Sequence, residues 1–220
     1  MFRAQKNERV SVCLVGPEKY RCIGLFTCFI WMGCAEEDTS NPNALWPDLI
    51  DETSALRLEA EQCHEDIQGW NETWSVIEEQ VLVAVNSRRA DGADCGSTGV
   101  FEATTPLEMN SRIRCSARYH SLWMTQTGIY EHDSPGGGLG DDPWQRMERT
   151  GFQGDPTGEN IAFGYDSPND VVNGWMTSDG HCANIMNPSS NVLGVGYVQS
   201  TGGGYQHVWT QNFGYLRPTD

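Results

Sequence analysis

The spacing of apolar residues changes once along this chain, and that change limits the folds open to it. Trp74, Ile77, Val81 and Val85 recur every three or four positions, the period of a helix buried along one side. Toward the C-terminus Val192, Val195 and Tyr197-Val198 read as a strand, 201–204 as a turn and 205–213 as a returning strand. Between these ends the helix signals are local. Ser75 followed by Glu78 resembles a capping box for a helix over 72–90, which Asp91-Gly92 stops. A second helix fits 111–127, opened by Asn110 or Ser111 and closed by Gly128, with Ile113, Ala117, Met124 and His120 inward. Residues 134–140 form a loop. Asp142-Pro143 opens a short helix that Gly151 closes, and Ser167-Pro168 opens another running to about 178. Helices first and a hairpin last suit a mixed sheet covered by helices. The 24 Gly and 10 Pro argue against a simple helical bundle.

The 220 residues suit one domain with extra sequence at one end, and that extra lies at the N-terminus. Residues 22–33 are apolar, follow Lys19 and Arg21, and end at Cys34. A run of this length is too short for a bilayer, which takes about 20 residues, whereas charged, apolar and small residues in this order form a signal peptide. We expect a leader over 1–33. Gly33-Cys34 resembles a bacterial lipobox, which makes Cys34 the expected lipidation site, although Trp31 and Met32 depart from that motif. An acidic, weakly patterned tether then covers 34–71, with a short helix at 52–66.

From Cys34 onward nine Arg and no Lys face 28 acidic residues. Such a surface repels phosphate backbones and anionic headgroups, which excludes nucleic acid and leaves the membrane only through an N-terminal lipid. Export places the mature part in an oxidising compartment. Its Cys63, Cys95, Cys115 and Cys182 read as two disulfides with three connectivities open. No C-x-x-C pair or His-x-His cluster suggests a structural zinc knot.

Five short blocks then occur in order. They are His120-Ser121 with Met124 and Tyr130-Glu131-His132, GENIA at 158–162, WMTSDGHCANIMNP at 175–188, LGVGY at 193–197 and WTQNFG at 209–214. Together they resemble the bacterial branch of the CAP superfamily, relatives of cysteine-rich secretory proteins, antigen 5 and plant pathogenesis-related proteins, over 72–217. The resemblance implies an α/β fold, a three-layer α-β-α sandwich, and favours a Cys95–Cys182 bridge, leaving Cys63 with Cys115.

It also implies a cleft lined by two His and two acids. The first His falls on His132, the GEN acid on Glu159 and the second His on His181. The second acid falls on Ser178, which removes a carboxylate from any full tetrad. Two imidazoles and a carboxylate can hold Zn²⁺ through His132, His181 and Glu159, or work without metal as general acid and base. Neither arrangement supplies a nucleophile, and no G-x-S-x-G elbow surrounds Ser178. Glu159 and Asn160 can equally serve by hydrogen-bonding loop backbone. His132 and His181 are expected in glycine-rich loops sharing a cleft, His120 as a satisfied helix residue, and His207 without a role. Asp133, Asp141, Asp142 and Asp155 carry oxygens suited to Ca²⁺, without EF-hand spacing. Trp144 and Arg146 are expected in core packing and a surface ion pair, or at the cleft mouth.

The expected function is an exported, lipid-anchored monomer that binds a ligand, metal, lipid or protein partner at the cell envelope. The alternatives are a hydrolase working from the same cleft and a lipid- or sterol-binding protein. Cleft chemistry rather than fold separates them.

Overall fold

The computed structural model describes residues 64–217. The leader, Cys34, most of the tether and Cys63 lie outside the described residues. A 3₁₀ turn, Glu65–Ile67, precedes helix α1, Glu72–Asp91. Asn71 caps α1, its side chain accepting from Thr73 and Trp74 N–H. The Ser75/Glu78 pair therefore does not form the expected capping box, because both residues point into the protein instead. Two-residue strands β1 (Ala93–Asp94) and β2 (Val100–Phe101) make a small ribbon. Strand β3 (Glu108–Met109) leads into α2, Ser111–Thr127, capped by Asn110 and closed by left-handed Gly128. There follow α3 (Pro143–Arg149), β4 (Asp155–Phe163), α4 (Pro168–Met176), α5 (Asp179–Met186), β5 (Val192–Gln199) and β6 (His207–Tyr215).

The main sheet runs β3-β5-β6-β4, with β3 parallel to β5 and the other neighbours antiparallel. Strand pleating sends alternate residues to opposite faces. Leu193, Val195, Tyr197, Trp209 and Phe213 meet α1, α4 and α5 through Val81, Val85, Val172, Trp175 and Ile185. On the other face Val192 meets Ile113 of α2 and Met147 of α3. Helices thus cover both faces, as expected for an α-β-α sandwich. Strand β4 is the main element absent from the sequence reading, which assigned no element to 158–162. The helix expected to reach about 178 stops at Met176, and α5 begins two residues after Thr177.

Helix α2 lies very close to the sheet because Gly194 and Gly196 have no side chains. A Cβ at either would stand inside van der Waals contact of the Ile113 or Ala117 carbonyl. Charged side chains tie the layers together. Glu78 on α1 is fully buried and accepts from Arg114 Nε at 2.8 Å, Arg118 Nη2 at 2.7 Å and Trp70 Nε1 at 2.9 Å. It also accepts the outward N–H of Tyr197 on β5. Arg89, equally buried, donates to the carbonyls of Thr105, Ile185, Asn187 and Ser190. Those bonds fix the end of α5, which carries part of the site. Burial without an acidic partner lowers its pKa to about 10.

Cys95 and Cys182 form a disulfide across 87 positions, the pairing that the resemblance favoured, and it pins the loop after β1 to α5. Cys115 is also disulfide-bonded and fully buried. Ile67 and Trp70, both buried, pack with Cys115 and Tyr119, so ordered core residues precede position 72.

Candidate functional site

Glu159 sits on β4 opposite Asn212 of β6. Strand alternation turns these two toward α2 and α3, while neighbouring Asn160 and Gln211 turn toward α5. The side chain is buried, 2% exposed, and each carboxylate oxygen is engaged. Oε1 accepts from His132 Nδ1 at 2.9 Å. Oε2 accepts from Arg146 Nη2 and Asn212 Nδ2, both at 2.8 Å. Burial opposes ionisation, but the His132 bond and the Arg146 guanidinium outweigh it and hold the carboxyl below its usual range. Glu159 is therefore an ionised anchor inside the wall of the cleft.

Arg146 departs from the surface ion pair expected of it. It is fully buried and donates to the His132 carbonyl at 2.8 Å and Ser134 Oγ at 2.7 Å as well as to Glu159. One guanidinium thus fixes the backbone of His132 and the carboxylate that orients its ring. Pro143 and Arg146 lie three positions apart on one short helix, and both are buried, which turns the guanidinium inward.

His132 sits in the bend after α2, with its side chain 48% exposed. An ionised carboxylate can only accept, so Nδ1 carries a proton toward Glu159; in the neutral ring Nε2 is then an acceptor, and in the charged ring it is a donor. His181 does not occupy a glycine-rich loop. It lies in the first turn of α5, half-buried, and burial followed by the nearby charge of His132 lowers its pKa. Ser178 is the N-cap of α5 but makes no side-chain cap bond, and it is not among the residues lining the cleft. His120 is buried and only half-satisfied, against expectation: its Nε2 donates to the Glu131 carbonyl at 2.9 Å, but its buried Nδ1 has no hydrogen-bond partner. It also lies under the site, 3.9 Å from Glu159 Oε1. Burial pushes its pKa down to about 4, so it is neutral. His207 lies away from the site and bonds Tyr197 Oη at 2.7 Å.

The cleft is an open groove of about 440 Å³ lined by His132, Pro143, Trp144, Thr157, Gly158, Glu159 and Asn184. Trp144 on α3 is 46% exposed and stands at its mouth rather than in the core. Asn184 on α5 donates from Nδ2 to the Glu159 carbonyl and to Asn160 Oδ1. Its Oδ1 faces Gly158, where a Cβ would collide with it, so the glycine of the GEN block admits this contact. Asn160 in turn donates to the His181 carbonyl and to Gln211 Oε1, making its role structural.

These residues do not form the expected zinc set. Both oxygens of Glu159 are occupied, one beside a guanidinium, and His132 with His181 leaves a tetrahedral site half-filled. Among the described residues no three His, Cys, Asp or Glu gather where they could hold a metal ion. The calcium expectation fails for the same reason. Asp142 caps α3, Asp155 pairs with exposed Arg217, and Asp141 accepts from the Gly136 N–H.

A family model described as the cysteine-rich secretory protein family, CAP, matches residues 102–213. The uncharacterized protein YkwD of Bacillus subtilis (strain 168) is 34% identical over 139 residues, 63% of this chain and 47% of that protein. The uncharacterized membrane protein YlbC of the same organism is 28% identical over 144 residues, covering 66% and 36%. Among solved structures, an extracellular protein containing a SCP domain from Bacillus anthracis str. Ames is similar with a TM-score of 0.52 and 26% identity, covering 64% of this chain and 41% of that one. The chain thus spans less than half the length of each of these relatives. The family match takes in β4, the GEN and GH blocks and the closing hairpin, and on that basis the chain belongs to the CAP family of cysteine-rich secretory proteins.

Proposed function

We propose that this CAP domain is exported and binds a ligand at the cell envelope through the cleft beside His132. The observation that carries the reading is the saturation of Glu159. With both oxygens engaged, the carboxylate is spent on fixing the ring of His132, whose Nε2 remains free at an open groove. Fixed acceptors, a half-exposed imidazole and an exposed indole make a recognition surface. A nucleophile is missing from it, since the one lining hydroxyl, Thr157 Oγ1, bonds Ser190 Oγ at 2.8 Å.

Export is supported by the signal-peptide pattern of 1–33 and by the Bacillus anthracis relative, described as an extracellular protein. A diacylglycerol on Cys34 would anchor the domain through its acidic tether. Among the described residues no helix is long and apolar enough to cross a membrane.

A second reading is acid–base hydrolysis. A His132 imidazole oriented by Glu159, beside a neutral His181, favours it. One experiment separates the two. Immobilised protein and a His132→Ala/His181→Ala variant are exposed to isolated native envelope, and both retained material and released fragments are analysed. Retention that depends on the two histidines, without new fragments, supports ligand binding. Fragments that depend on them support hydrolysis, and equal results for both proteins overturn the cleft reading. Mass spectrometry of Cys34 tests the anchor, which a free thiol on exported protein would exclude.

A further inference from the structure

We infer that the cleft binds a neutral carbohydrate chain, with Trp144 as the surface on which a sugar ring stacks. This rests on the proposed role of the cleft in ligand binding and adds the chemical class of the ligand.

Charge removes two classes first. The chain carries a net −16, so an anionic polymer or headgroup approaches against the field of the whole protein. A cation finds no free partner either. Glu159 is the one carboxylate in the lining, and it is buried against Arg146 and His132. What remains is an uncharged ligand.

Its hydrogen-bonding character follows from the lining groups. With Nδ1 committed to Glu159, His132 Nε2 is an acceptor in the neutral ring. Asn184 spends Nδ2 on the Glu159 carbonyl and Asn160 Oδ1, which leaves its Oδ1 as a second acceptor. The ligand must therefore present donors, as sugar hydroxyls and acetamido N–H groups do. The indole of Trp144 lines the same groove, with Pro143 the other apolar lining residue. A flat aromatic face beside fixed acceptors suits a pyranose, whose axial C–H face is apolar and whose rim carries hydroxyls. In this lining Pro143 and Trp144 are the large apolar side chains, too few to enclose a lipid chain.

The platform is also held in place. Asp142 caps α3 through Gln145 N, Pro143 is buried at its first position, and Arg146 ties the helix to Glu159 and to the His132 backbone. Trp144 and His132 thus share one support, and little freedom is lost when a ring settles between them.

The test is calorimetric titration of the purified chain with the hexamer of N-acetylglucosamine, cellohexaose, polygalacturonate, spermidine and a neutral Gly-Ser-Ala peptide. At least one neutral oligosaccharide should bind at up to about 5 mM. Trp144→Ala should weaken it by roughly tenfold or more, and Trp144→Phe should retain part of the affinity. Because Trp144 is exposed, thermal unfolding of both variants should match that of the parent, so lost binding cannot be put down to misfolding. The inference is overturned if neither oligosaccharide binds or if Trp144→Ala stays within about twofold of the parent. Tighter binding of polygalacturonate, spermidine or the peptide overturns it as well. If histidine-dependent retention of envelope material persists while both sugars fail, the carbohydrate class falls and the ligand-binding role of the cleft stands.

Discussion

Replacing Arg146 by Met probes the linkage that holds the site together. The side chains are similar in length, so little volume changes, but three hydrogen bonds are lost, to Glu159 Oε2, the His132 carbonyl and Ser134 Oγ. Removing one partner of a buried ion pair costs roughly 3–5 kcal/mol, because the remaining charge stays in a poor solvent. Glu159 keeps Asn212 and half-exposed His132, which places the expected loss near the middle, about 4 kcal/mol. Glu159→Gln alone should also destabilise, by roughly 3 kcal/mol, since it strands the guanidinium. The double variant should lose about 2 kcal/mol less than the sum of the two, the coupling expected of residues in direct contact. Urea unfolding followed by tryptophan fluorescence at pH 7 measures all four proteins. The pH dependence carries the sign. A carboxyl held low in the folded state stabilises above its unfolded pKa, near 4.3, and loses that contribution as pH falls through the folded value. The gap between parent and Arg146→Met should therefore close below about pH 4. A loss under about 1 kcal/mol at pH 7, or strictly additive variants, would refute the account of Arg146 as the support of the site.

Protonation of His120 gives a second pH effect. Its folded pKa is depressed to about 4, so stability is fully present above the unfolded value of 6.5 and falls as pH drops between the two, by about 3 kcal/mol in all. A His120→Gln variant should show a shallower slope of urea midpoint against pH in that window, and an unchanged slope would contradict this. Breaking the Cys95–Cys182 bridge by Cys182→Ser should cost about 4–5 kcal/mol in the chain-entropy model, read as a fall in melting temperature. Gly194→Ala should cost at least about 3 kcal/mol or prevent folding, because α2 must move off the sheet. Circular dichroism melting of that variant decides it, and a near-native melt would show that the helix can shift without penalty.

The two long helices were legible because their apolar spacing and glycine stops are local signals that tertiary structure did not override. Strand β4 was not. Its sequence, DPTGENIAF, carries four polar side chains in a row of nine and two helix breakers, and lacks the alternation that marks a strand. In the fold Glu159 and Asn160 are buried because Asn212, Gln211 and Asn184 answer them from other elements, up to 53 positions away. The same cause hid Arg146 and the inward role of Glu78. An isolated charge in a sequence is most economically assigned to the surface, and only the three-dimensional partner shows otherwise. Ser75 and Glu78 had capping-box spacing, yet Asn71, four residues earlier than Ser75, made the better cap. Family motifs supplied His132, Glu159 and His181, but they left out that Arg146 and Asn212 had already claimed the carboxylate.

The outer margins of the main sheet end on side chains. On β5 the N–H of Tyr197 is taken by buried Glu78. On β4 the outward carbonyls of Glu159 and Ile161 are taken by Asn184 and Trp175. A strand from a second molecule would find no continuous ladder on either margin, and would first have to evict a buried carboxylate or a core indole. Edge-to-edge aggregation is thereby blocked, and on the β4 margin by Asn184, which also lines the cleft. Copies of the domain crowded together would each keep their sheet to themselves.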